Sequence, residues 1–242
     1  MSIVLAVVVL VAPVVALAQT PVERARALIA TYHEDPHRID EARDLLEEAI
    51  TRERPADAVT LLSRIYFLAG EVRATTDDEK LATFGRGRDL GKLAIEIAPR
   101  SEDAHVWYAL NVGRWGQTKG MMRALFLLPT IREELDTIFS INPRSVRGHA
   151  LAGNLFFELP GMMGGDRKKA EEHFRKGIEA DPHFTALRLD LARLLVADGR
   201  IAEARRELER VVNETAPTNV ADWTARERPR ARTRLDELRD RK

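Results

Sequence analysis

From residue 20 onward, apolar positions recur at helical spacing, and no stretch alternates apolar with polar residues over a strand's length. Arg43-Asp44-Leu45-Leu46-Glu47-Glu48-Ala49-Ile50 and Leu191-Ala192-Arg193-Leu194-Leu195 place aliphatic side chains at i, i+3 and i+4, one face of a helix. The pattern predicts helices in pairs: 22–33 with 39–52, 56–69 with 77–98, 102–112 with 118–141, 145–158 with 166–180, and 184–197 with 201–213. A further helix at about 222–239, charged on its outer face, would cap the open end of such a stack.

The prolines mark the units. Pro55, Pro99, Pro143, Pro182 and Pro217 each follow the second helix of a pair, at separations of 44, 44, 39 and 35 residues. Proline cannot continue a helix and biases its predecessor away from helical geometry. The last spacing is close to the ~34-residue period of a tetratricopeptide repeat (TPR), and the others are that period plus an insertion. With Ala204 at the small-residue position of the final second helix, Leu191 and Ala192 fall on the leucine and small positions of the first. Gly199 falls on the turn, and Leu208, Val211 and Pro217 on or beside the aromatic, alanine and proline positions. In the preceding unit Gly153, Phe156, Ala170, Phe174, Gly177 and Pro182 match in the same order. The units ending at Pro99 and Pro143 match weakly, with Gly87 standing in for the small residue and Ile131 replacing it. The chain resembles TPR proteins. That resemblance implies an all-α, TPR-like solenoid of about five helix pairs plus a C-terminal capping helix, one domain over residues 20–242.

Composition narrows the partners. Hydrophobic residues make up 45% of the chain, enough for a sizeable core. Lys plus Arg and Asp plus Glu both number 38, so no net positive charge draws the protein to phosphate backbones, and nucleic acid is not expected as its partner. The Arg-rich stretch 226–242, interrupted by Glu227, Asp236, Glu237 and Asp240, reads as a solvated helix face. Without cysteine there is no disulfide, no Cys-ligated zinc and no thiol nucleophile. Residues 3–15 form an aliphatic run broken by Pro13, and Ala16-Leu17-Ala18 has the small-x-small form of a cleavage signal. No Lys or Arg precedes the run. The expectation is a signal peptide over residues 1–18, cleaved after Ala18, and a periplasmic or secreted protein that is not integral to a membrane afterwards.

Two insertions separate the helices of the third and fourth pairs: a loop over 113–123 and a second over 159–166. In the second, Leu159-Pro160, Gly164-Gly165-Asp166 and the following Lys168-Lys169-Ala170 and Phe174 resemble the T-component (TatT) proteins of TRAP transporters. Gly164-Gly165 suits a chain reversal and Asp166 an N-cap. His105-Val106-Trp107-Tyr108-Ala109, Ile131-Arg132-Glu133-Glu134-Leu135-Asp136, and His149 with Gly153 resemble the regulator of microtubule dynamics proteins. Together the resemblances cover roughly residues 104–216.

Catalytic signatures fail on inspection. His33-Glu34-Asp35-Pro36-His37 matches the zinc-protease string, but Pro36 breaks the helical turn that would bring both imidazoles to one face. The glycine-rich run 85–92 has neither phosphate-loop spacing nor its Ser or Thr, since Leu93 stands there. Met121-Met122 and Met162-Met163 suit irregular gaps better than copper. No Gly-x-Ser-x-Gly occurs. The reading is a non-catalytic scaffold without metal or cofactor that binds a protein or peptide partner. The alternative is a TatT-like transporter accessory that binds a small organic ligand or a solute-binding partner. Candidate binding residues are Tyr66, Asp103, Trp107, Leu110, Trp115, Arg147, Asn154, Phe157 and Arg193. Glu34→Gln should therefore leave the melting temperature unchanged and zinc content at zero; stoichiometric zinc lost on mutating His33 and His37 would contradict this.

Overall fold

The computed structural model describes residues 19–239. The expected signal peptide, residues 1–18, lies outside them. The first two pairs are α1 (Pro21–Ala30) with α2 (Arg38–Arg52) and α3 (Ala56–Val72) with α4 (Asp77–Ile97). The third is α5 (Glu102–Lys119) with α6 (Met121–Phe126) and α7 (Leu128–Ile141). Then come α8 (Val146–Glu158) with α9 (Arg167–Ala180) and α10 (Thr185–Ala197) with α11 (Ile201–Val212). A closing segment follows: α12 (Val220–Asp222), a π turn (Trp223–Glu227) and α13 (Arg228–Glu237). This is a TPR-like α-solenoid.

Helix starts follow from local chemistry. Thr20 and Thr76 form capping boxes with Glu23 and Glu79, and Ser101, Ser145 and Asp166 accept backbone N–H bonds at the starts of α5, α8 and α9. The zinc-protease string lies in turns between α1 and α2, where Glu34 pairs with Arg38 at 2.5 Å. His105 and His149 occupy equivalent positions and reach across their own pairs, His105 to Glu134 at 2.5 Å and His149 to His173 at 3.0 Å.

The third pair departs from the sequence reading. α5 runs to Lys119, so residues 113–119 are helix rather than loop, and the turn comes at Gly120 with φ 107°. No proline interrupts this stretch. Gly116 sits inside the helix because α6 and α7 come close: a Cβ there would lie 2.8 Å from Leu127 Cδ1 and 3.2 Å from Ala124 Cα. The expected helix over 118–141 is accordingly split between α6 and α7. The methionines do not fill gaps either: Met121, Met122 and Met162 are 78%, 68% and 90% exposed.

Two large cores lie toward the ends. One gathers α1 to α4, including Tyr32, Ile39, Leu46, Leu62 and Ile65; the other gathers α9 to α11, including Phe174, Leu187, Leu191 and Leu208. The closing segment joins both. Ala221 is buried in the first core, and Ala231 and Leu238 in the second. Polar contacts hold it across the space between: Tyr32 donates to Asp222 at 2.7 Å, Arg226 pairs with Glu71 at 2.6 Å, Thr185 donates to Glu227, and Trp223 donates to the Val211 carbonyl at 2.7 Å.

Two measurements test this packing. A Cβ on Gly91 would meet the Tyr108 backbone at 2.8 Å, which cannot step aside, whereas one on Gly113 meets only Ile131 Cδ1 at 3.7 Å. Gly91→Ala should destabilise by about 1–3 kcal/mol, and Gly113→Ala should stabilise by about 1 kcal/mol through helix propensity, both read by urea unfolding. The second concerns pH. Burial, with Asp222 and Asp190 nearby, pushes the Glu227 carboxyl up to about 7 against the pull of Thr185 and Arg226. The folded form then binds this proton more tightly than the unfolded chain. Its stabilisation is complete below about pH 4.5 and is lost as pH rises through about 7. Burial beside His149 holds the His173 imidazole down to about 4, so it acts in the opposite direction, losing stability as pH falls below about 6.5. Comparing Glu227→Gln with the parent chain isolates the first effect: the variant should lack that decline between about pH 4.5 and 7.

Candidate binding groove

The first helices of the pairs, α1, α3, α5, α8 and α10, share one face of the solenoid, and the closing segment crosses part of it. In the remainder lies a cavity of about 280 Å³. α1 contributes Arg26, α3 contributes Asp57, Thr60 and Arg64, α5 contributes Asp103 and Trp107, and α8 contributes Arg147. Thr60 and Arg64 stand at i and i+4 on a helix whose other face is packed with Val59, Leu62 and Ile65, so they must point into the groove.

Trp107 is the hub of the cavity. The residue is 8% exposed, and its ring leans on Phe67 at 5.7 Å between centroids. The Arg64 guanidinium lies 5.5 Å from the Trp107 centroid and that of Arg147 5.3 Å, with Arg147 also 5.7 Å from the Phe184 ring. Cations are drawn to aromatic faces, but two on one ring repel each other. Burial, then Arg147, lowers the pKa of Arg64; Asp222 and Asp103 work against that from beyond contact distance.

The other expected residues fall elsewhere. Asn154 and Arg193 join a knot between α8 and α10: Asn154 donates to Asp190 at 2.7 Å, and Arg193 donates to Asn154 at 2.5 Å and pairs with Glu158 at 2.9 Å. The Arg193 guanidinium also covers the Phe157 ring at 4.9 Å. These polar groups satisfy one another. Tyr66 turns toward α2, donating to Glu47 at 2.8 Å, while Arg86 pairs with the same carboxylate at 3.0 Å. Leu110 packs beside Val106, Trp107 and Ile138. Trp115 lies against Gly85 of α4, ringed by Arg88, Arg123 and Lys119 at 4.8, 5.3 and 5.9 Å. The structure thus brings Asp103, Trp107 and Arg147 together, with Leu110 packed behind Trp107 outside the cavity lining, gathers Asn154, Phe157 and Arg193 separately, and sets Tyr66 and Trp115 apart from both. Sequence reasoning passed over Arg26, Asp57, Thr60 and Arg64. The signal available was Arg64 itself, a lone cation within the apolar run Ala58-Val59-Thr60-Leu61-Leu62-Ser63-Arg64-Ile65.

A second cavity, of about 310 Å³, opens between α7, α8 and α9 and is lined mainly by Leu135, Phe139, Leu155, Phe156 and His173. Among the described residues no group of three or more His, Cys, Asp or Glu could hold a metal, and no helix is long and apolar enough to cross a membrane.

Comparison with known proteins places the scaffold. The family described as regulator of microtubule dynamics protein 1-3 matches residues 22–171, and a tetratricopeptide repeat family matches residues 162–227. Regulator of microtubule dynamics protein 3 of Rattus norvegicus is 22% identical over 160 residues, 57% of this chain and 34% of the rat protein. Regulator of microtubule dynamics protein 1 of Mus musculus is 24% identical over 129 residues, 47% of this chain and 42% of the mouse protein. The matches thus span less than half the length of these relatives. A thermophilic TPR protein of Thermus thermophilus superposes with a TM-score of 0.64 at 18% identity, covering 88% of this chain and 98% of that one, a likeness of fold. These findings overturn the expected periplasmic or secreted location. Rat and mouse cells have no periplasm, and the matched family is named for microtubules, which lie inside cells. The aliphatic run with no cation ahead of it was too little to establish export. With the family matched from α1 into α9 and the repeat pattern from there into the closing segment, the chain belongs to the regulator of microtubule dynamics protein 1-3 family, built on a TPR scaffold.

Proposed function

We propose that this chain is a non-catalytic scaffold that holds a segment of a partner protein in the groove over Trp107. The observation that carries the reading is the convergence of side chains from four successive helix pairs on one cavity. Arg64 and Arg147 flank its central ring. Aromatic and arginine anchors of this kind dominate binding energy where partners dock. The closing segment supports it too, because a helical stretch of the chain itself already lies along the adjoining part of this face. The names of the relatives direct the first search for a partner to the proteins of microtubules.

A second reading, a small apolar ligand, has one observation in its favour, the cavity lined by Leu135, Phe139, Leu155 and Phe156.

The two are separated by blocking the groove. Asp103 is exposed at the mouth of the Trp107 cavity, and Glu96 is exposed on α4, outside that cavity. Peptides selected from a displayed library against the chain should bind Asp103→Trp at least about tenfold more weakly, near 1.4 kcal/mol, and Glu96→Trp unchanged, with equal melting temperatures. Full binding to Asp103→Trp would refute the groove.

A further inference from the structure

We infer that the groove selects an acidic peptide, seating a carboxylate between Arg64 and Arg147 beside Trp107; this rests on the reading of that face as the binding groove. Other arginines on this face have counter-charges: Arg114 and Arg226 share Glu71 at 2.9 and 2.6 Å, and Arg193 takes Glu158 at 2.9 Å. In the neighbouring core Arg188 takes Glu207 at 2.9 Å. Arg64 and Arg147 are as sheltered as several of these, yet among the described residues neither has a carboxylate within ion-pair distance, and nor does Arg26. A sheltered cation left beside another cation is costly, and an arriving anion removes that cost while gaining charge-assisted hydrogen bonds from two guanidinium forks.

The acids of the cavity do not fill this role. Asp57 accepts from the Ala58 amide at 2.9 Å at the start of α3, and Asp103 sits exposed in the first turn of α5. Both are placed to complement helix dipoles at the rim. Three arginines against two acids leave the cavity positive. The occupant is a peptide rather than a free ion because the adjoining stretch of the face already holds one: the closing segment turns Asp222 toward Tyr32 and Glu227 toward Thr185, and Asp222 also acts on Arg64 at longer range. An acidic helical or extended segment continues that pattern into the open cavity.

Titration calorimetry of the whole chain, with a glutamate-rich peptide and the same peptide carrying glutamine at each glutamate, tests this. The glutamate peptide should bind, weaken as salt rises, and lose at least about tenfold in affinity, near 1.4 kcal/mol, in the Arg64→Gln/Arg147→Gln double variant. The variant should melt no lower than the parent, since removing two unpaired like charges relieves repulsion. Equal binding of the glutamine peptide, binding of neither, unchanged affinity in the variant, or competition by inorganic phosphate as strong as by the peptide would each overturn the inference. So would a lowered melting temperature with affinity intact. Glutamine-peptide binding that Asp103→Trp abolishes would leave the groove standing while its charge selectivity fell; glutamate-peptide binding that Asp103→Trp leaves intact would remove the groove itself.

Discussion

The contact between the closing segment and both ends of the solenoid is the constraint on which the rest depends. A stack of helix pairs is quasi-one-dimensional, each unit touching only its neighbours. Here Ala221 enters the core of the first units while Ala231 and Leu238 enter the core of the last. The Tyr32–Asp222 hydrogen bond joins residues 190 positions apart. A linear array has thus been strapped across its own face. The strap fixes the spacing between α1, α3 and α10, and with it the width of the groove that remains.

The strap also explains why charge is distributed unevenly over that face. Where it runs, Glu71 neutralises two arginines and Asp222 lies beside Arg226. Where it is absent, Arg64 and Arg147 are left facing one indole. On this surface the arginines at Glu71 and Asp222 are paired, while the two at the Trp107 ring are not.

Much of the fold was legible in the sequence because its determinants are local. Prolines, Thr and Ser caps and 3.6-residue periodicity act over a few residues, and small residues such as Ala204 and Gly153 announce the crossings within a pair. The unit around Gly113 and Gly116 was misread for the opposite reason. Glycine signals a loop locally, but here it serves the approach of α6 and α7, which only tertiary packing reveals. The candidate site was half legible. Asp103, Trp107 and Arg147 stood out by residue type on first helices; Arg64 depends on how the second, third and fourth units face each other, and the strap on how the last part of the chain meets the first. Asn154 and Arg193 were recognised as polar groove residues, yet Asp190 and Glu158 bind them internally. The misplaced location came from reading an aliphatic run by its resemblance to a leader, when apolar length alone does not specify destination.

The position of the methionines carries a consequence for chemistry outside the groove. Met121, Met122 and Met162 lie in water, and none of the described methionines is in a core. Oxidation to the sulfoxide replaces an apolar thioether by a polar group, which ruins a core but is nearly free at a surface. With no cysteine in the chain, no thiol can be lost or cross-linked. Among the described residues, methionine oxidation therefore falls on the surface and leaves the packed cores untouched.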